Sequence, residues 1–137
     1  MLSKSEISIL VEEWMAAWNQ HDLEGVLGYM ADDVIFEHWN ERTTRGSHQL
    51  RRLWQPWFDN HGGFHFSVKS LYIDQEQQSA IFEWQLQWPS PESSYRGQHE
   101  IREGVDLIQL QDGKVASKRS YIKTLLKIGT QPVFLKT

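Results

Sequence analysis

Apolar side chains recur near the N-terminus at Ile7, Leu10, Val11, Trp14, Met15 and Trp18, one face of a 3.6-residue period. Ser3-Lys4-Ser5-Glu6 has the spacing of a capping box, so a helix is predicted to start there. Asn19-Gln20-His21 breaks the period, and Asp22 then caps a shorter helix carrying Leu23, Val26, Leu27, Tyr29 and Met30. Ala31-Asp32-Asp33 reads as a turn, and Val34 to Trp39 as a short strand. Residues 40–46 read as a polar loop ending on Gly46. Ser47 is placed to cap a third helix with Leu50, Leu53, Trp54 and Trp57 on one face. Pro56 should kink or end that helix, and Asn60-His61-Gly62-Gly63 stops it.

Beyond residue 63 the chain reads as strand. Phe64 to Ile73 is the first run, bent near Lys69-Ser70. Ala80 to Trp88 alternates: Ala80, Phe82, Trp84, Leu86 and Trp88 share one face, with Ile81, Glu83, Gln85 and Gln87 on the other. After the loop Pro89–Ser94, Arg96 to Leu110 and Val115 to Thr124 flank Asp112-Gly113, a strong hairpin signal. The tail, residues 125–137, either adds an edge strand or covers a partner subunit. Helix, helix, strand, helix and then four or so antiparallel strands make an α+β order, one layer of helices on one sheet. With 137 residues the chain fits a single domain, with helices over about 4–58 and the sheet over about 64–124.

Composition narrows the chemistry. Cysteine is absent, which removes disulfides, thiolate metal sites and a cysteine nucleophile. Fourteen basic and eighteen acidic residues give −4, with no basic stripe of the kind nucleic acid requires. Glu12 and Glu13 interrupt the N-terminal apolar run, so it is not a signal peptide. No apolar stretch approaches the ~20 residues of a membrane span, and the expected compartment is the cytoplasm. Seven tryptophans, six phenylalanines and four tyrosines stand out. They serve as core, or they wall a concave site for a small apolar ligand.

Several segments together resemble a known family. They are Asp22-Leu23-Glu24-Gly25, Tyr29-Met30-Ala31-Asp32-Asp33-Val34, a glycine ahead of the third helix, and Gly104-Val105-Asp106-Leu107-Ile108 followed by Asp112-Gly113-Lys114-Val115. In this order they resemble the SnoaL-like and ketosteroid-isomerase-like domains of the nuclear transport factor two-like superfamily, over about residues 5–124. The resemblance implies a cystatin-like cone: a strongly curved antiparallel sheet wrapped around three N-terminal helices, its open end forming a pocket. It also implies a homodimer formed through the outer face of the sheet. It does not imply one reaction, because the fold hosts isomerases, cyclases, dehydratases, epoxide hydrolases and non-catalytic binding or assembly domains.

In ketosteroid isomerase an aspartate base ends the first strand, and a tyrosine and a protonated aspartic acid form the oxyanion hole. Aligned on the motifs above, these positions fall on His38, Trp14 and Asp106. Two of the three differ in type, which argues against steroid isomerisation as such. A histidine titrating near neutrality is still a reasonable general base. It also reads as a solvent-exposed histidine at a strand end.

Strand alternation puts Glu100, Arg102, Asp106, Ile108 and Leu110 on one face, with Lys118, Ser120 and Ile122 joining it across the turn. An Arg102–Asp106–Lys118 cluster is therefore expected, either catalytic or a structural ion-pair network. A one-residue slip would bring His99 and Glu103 inward instead. The candidate catalytic set is His38, Asp106, Arg102 and Lys118.

Trp14, Trp54 and Trp84 are the first choices for pocket wall: the first two align with pocket positions of the family, and Trp84 lies mid-strand. Trp18, Tyr29, Trp57 and Phe82 complete the candidate substrate-binding set, and all of these also read as core. The six histidines lack a spacing that converges on a metal, and no cofactor-binding fingerprint is present. Three functions fit: an acid–base enzyme on an apolar carbonyl compound without a cofactor, a non-catalytic receptor, or an assembly module whose pocket is filled by its own tryptophans.

Overall fold

The capping box forms reciprocally at the start of α1 (Lys4–Asn19). Ser3 Oγ accepts from the Glu6 N–H at 3.1 Å, and the Glu6 carboxylate accepts from the Ser3 N–H at 2.9 Å. Asp22 caps α2 (Leu23–Gly28) by accepting from the Gly25 N–H at 3.0 Å. The computed structural model describes residues 1–135, so the last two residues of the tail lie outside the described residues.

Strand β1 spans Met30–Glu37 and thus includes Ala31-Asp32-Asp33, which the sequence reads as a turn. The reason lies in its pairing. Met30 pairs with Val115 and Ile35 with Ser117, so five residues of β1 advance against two of the partner strand, and the aspartates ride outward on this irregularity. The polar loop that follows contains a short strand, β2 (Thr43–Arg45), folded back on β1. Helix α3 (Ser47–Asp59) begins behind Gly46 at φ +85°, so Ser47 is its first residue rather than its cap. Pro56 does not end α3. It sits in the last turn, where its missing N–H forfeits one bond, and the Asn60 N–H still reaches the Pro56 carbonyl at 3.1 Å.

Strands β3 (His65–Asp74), β4 (Ser79–Pro89), β5 (His99–Gln111) and β6 (Lys114–Ile122) form an antiparallel meander, with a register slip in β3 between Val68 and Ser70. Asp112 and Gly113 take φ +52° and +74°, the positive pair of a type I′ hairpin turn. The tail forms a hairpin of β7 (Leu125–Ile128) and β8 (Gln131–Phe134). Through the pairing of Ile128 with Glu100, β7 extends the sheet along β5 below β6.

The path through the sheet is β2-β1-β6-β5-β4-β3, and the β1–β6 step is parallel. The sheet is therefore mixed where the resemblance implies antiparallel. A parallel step needs a long crossover, which α3 and β3 to β5 supply. The sheet curls strongly around the three helices, giving the α+β cone. Ile7, Val11 and Trp14 of α1 and Leu50 of α3 meet Phe82, Leu86 and Ile108 in its core. Among the described residues no helix is long and apolar enough to cross a membrane.

Candidate functional site

A cavity of about 200 Å³ opens between the helices and the inner face of the sheet. Met15 and Trp18 of α1 and Trp54 and Trp57 of α3 form one wall. Phe66, Phe82, Trp84 and Trp88 of β3 and β4 form the opposite one, and Phe36, His38 and Trp39 close the side at the end of β1. The polar part of the lining is Asp106, Lys118 and Ser120, together with His38.

Register explains the polar group. Asp106 lies opposite Ser120, and Ile108 opposite Lys118, so the lysine reaches diagonally back across the β5–β6 ladder. Lys118 Nζ donates to Asp106 Oδ2 at 2.6 Å and to Ser120 Oγ at 2.7 Å, and Ser120 Oγ donates to Asp106 Oδ1 at 2.7 Å. Trp84 Nε1 donates to the same Oδ1 at 2.9 Å. Asp106 and Lys118 are both buried, so each charge is compensated by the other.

An ammonium has three donors, and two are committed here. The Lys118 nitrogen also lies 4.8 Å from the Phe36 ring centroid and 6.0 Å from that of Trp18, within cation–π range.

Gly104 makes the Trp84 bond possible. The two residues are paired, and the indole lies where a side chain at 104 would be: a Cβ there would fall 2.5 Å from Trp84 Cζ2 and 2.3 Å from the Tyr121 carbonyl oxygen.

His38 packs against Phe36 with centroids 4.0 Å apart and the rings tilted by 36°, and its Nε2 makes only a long contact, 3.5 Å, with Thr44 Oγ1. Burial, then the charges of Lys118 and Arg42, hold its pKa below the ordinary histidine value. The imidazole is therefore neutral at pH 7, with a lone pair to accept a proton.

Arg102 is a correction. It shares the inward face but does not join Asp106, because Glu100 lies two residues away on that face and Trp84 fills the space over Gly104 between them. Its Nε and Nη2 donate to the two Glu100 oxygens at 3.0 Å each, and Nη2 also reaches Glu92 at 3.2 Å. Glu100, fully buried, accepts further from Ser90 Oγ at 3.0 Å and from Trp88 Nε1. His99 and Glu103 face outward, Glu103 pairing with Lys69 and Lys123.

Two wall candidates also lie elsewhere. Trp14 is fully buried in the core, one helical turn short of the cavity, and its Nε1 has no hydrogen-bond partner among the described residues. Tyr29 turns outward at the end of α2, where its hydroxyl donates to Glu13 at 3.2 Å. Of the unassigned lining residues, Phe36 shares strand parity with His38 and could have been found that way. Ser120 was on the expected face without a role. Trp39 lies two residues beyond the end of β1 and carries no periodic signal. Among the described residues, no group of three or more His, Asp or Glu side chains is placed to hold a metal ion.

The sequence matches the family model of the SnoaL-like domain over residues 11–118. No curated protein matches it. Among solved structures, AclR of Streptomyces galilaeus is similar at 20% identity, with 88% of this chain and 81% of that chain covered and a TM-score of 0.73. SalBIII, described as an epoxide hydrolase/cyclase-like enzyme in pyran ring formation in polyether salinomycin, is similar at 14% identity, with 90% and 95% covered and a TM-score of 0.77. An LEH-like epoxide hydrolase of M. tuberculosis is similar at 18% identity, with 87% and 84% covered and a TM-score of 0.69. At these identities the likeness is one of fold.

Proposed function

The chain belongs to the SnoaL-like domain family, and from that premise we propose that it is an enzyme performing general acid–base chemistry on a small, largely apolar carbonyl compound. The observation that carries this reading is a buried ammonium with one uncommitted N–H in an aromatic cavity that also holds a neutral histidine. His38 takes a proton from the carbon next to the carbonyl. The negative charge that develops on the carbonyl oxygen is stabilised by Lys118, in a water-poor site where such a donor counts for more than in solution. Asp106 orients Lys118 and balances its charge, and Trp84 and Ser120 hold Asp106 in turn. The imidazolium then returns the proton to another carbon in an isomerisation, to a leaving hydroxyl in a dehydration, or, in an aldol-type cyclisation, to the alkoxide oxygen left when the enolate carbon attacks a second carbonyl. These steps move protons between protein and substrate and call on no cofactor.

The test is turnover of a panel of apolar carbonyl compounds by wild type, His38→Gln and Asp106→Asn. The proposal expects both variants to lose turnover while keeping a native circular dichroism spectrum. Full turnover by Asp106→Asn would remove its role. A receptor without catalysis is the second reading, favoured by Trp14, which stands where the related isomerases carry their oxyanion-hole tyrosine but is buried in the core and offers the cavity no donor. Saturable binding without turnover across the panel would select it. The open volume between the tryptophans counts against an assembly module filled by its own side chains.

Two copies are proposed to pair through the outer face of the sheet. There the exposed Tyr72 and Ile81 are directly paired and continue to Leu107, with Val105 and exposed Tyr121 alongside. A monomer by sizing chromatography, or a dimer unaffected by Ile81→Glu, would exclude that arrangement.

A further inference from the structure

The buried pair Glu100–Arg102 has no part in the chemistry proposed above, yet it lies against the cavity lining. The Arg102 guanidinium carbon sits 5.4 Å from the Trp39 ring centroid and 5.1 Å from that of Trp88, so the cation is held between two indoles that both line the cavity. Glu100 and Glu92 accept from the guanidinium, and Ser90 Oγ and Trp88 Nε1 donate to Glu100 and hold it in place. Among the described residues, Trp39 is the one exposed side chain of the lining, 39% accessible, which places it at the mouth. Its ring also approaches Trp84 at 6.2 Å. The loop that carries it is tight: the His38 N–H donates to the Arg42 carbonyl at 2.9 Å and the Glu41 N–H to the His38 carbonyl at 3.0 Å.

We propose that Trp39, clamped on Arg102, is a specificity-determining residue that limits the cavity to compounds of one or two fused rings. The inference rests on the ligand-binding reading of the cavity. A dry cavity of about 150 Å³ holds one benzene ring, so this cavity, of about 200 Å³, has room for little beyond a second ring. A third ring in line must pass through the space Trp39 occupies. Trp39 stays there because the guanidinium is flat, permanently charged and locked bidentately on a carboxylate.

The test is calorimetric titration with acetophenone, 2-acetylnaphthalene, 2-acetylanthracene and a four-ring steroid ketone. Wild type should bind the first two saturably and the larger pair at least about tenfold more weakly. Trp39→Ala, a change at an exposed position, should abolish that discrimination. Removing Arg102 alone would strand Glu100 as a buried carboxylate, so the clamp is tested with the double variant Glu100→Gln/Arg102→Met, which carries neither charge. It should lose the discrimination as well, and a larger share of the tryptophan emission should become quenchable by acrylamide, an increase that is absent when Trp39→Ala is added to the double variant. Equal binding of all four ketones by wild type would overturn the size limit and leave the pocket reading standing. Undiminished discrimination in Trp39→Ala, or in the double variant, would overturn the role of the residue removed. No saturable binding of any ketone by wild type or Trp39→Ala would overturn the pocket reading, and this inference with it.

Discussion

Asp106 and Lys118 form a buried ion pair, and such a pair is costly to halve yet contributes little net stability when intact. Asp106→Asn keeps an acceptor for Trp84 and Ser120 but leaves Lys118 buried without a counter-charge. It is expected to cost about 3 kcal/mol in urea denaturation at pH 7. Asp106→Asn/Lys118→Met removes both charges and keeps the acceptor for Trp84 and Ser120; its stability should stay near wild type while ligand binding or turnover is lost. Equal loss of stability in the two variants would mean the pair is structural glue rather than a site.

His38 sets a pH dependence. Its folded pKa lies below the reference 6.5, so on acidification the unfolded chain takes up this proton first. Its contribution to stability is thus full above about pH 6.5 and is lost as pH falls through the window beneath it. The acid limb of kcat/KM should have its midpoint below 6.5, and His38→Gln should remove that limb. A midpoint above 6.5 would contradict the burial and the neighbouring charges.

At the scale of elements, β5 links the two polar clusters. Its inward face carries Glu100 and Arg102 toward the mouth and Asp106 deep in the cavity, with Gly104 between them as the gap into which Trp84 lies. Gly104→Ala would press a methyl group against a backbone oxygen and an indole at once. It is expected to lower stability by about 2–3 kcal/mol and to break the Trp84–Asp106 bond, visible as a change in tryptophan emission. A silent Gly104→Ala would show that β5 and β6 can part without cost. Element ends differed in how well the sequence announced them. The capping box, the Asp22 cap and the Asp112-Gly113 turn are each decided by a few adjacent residues, and they were legible. The start of β1 was not, because Asp32 and Asp33 look like turn residues until β6 supplies an irregular ladder that carries them outward.

At the scale of the whole molecule, the C-terminal hairpin extends the sheet beside the buried Glu100–Arg102 pair. β7 pairs with β5 at Glu100 and buries Leu126 and Ile128. Deleting residues 125–137 should cost roughly 3–6 kcal/mol from those two side chains alone and open the Glu100–Arg102 pair to water, read as a lower Tm and weaker ketone binding. An unchanged Tm would show that the hairpin is an appendage. The sequence alone determined the three helices, the antiparallel meander, the aromatic excess and the inward parity of Asp106, Lys118 and Ser120, because periodicity, caps and tight turns act over a few neighbouring residues. Only the tertiary structure decided that Arg102 pairs with Glu100 rather than Asp106, that Trp14 is core while Trp39 lines the cavity, and that β1 runs parallel to β6. Those outcomes depend on strand register, on a gap left by one glycine and on contacts between residues far apart in the chain, and no local pattern encodes them.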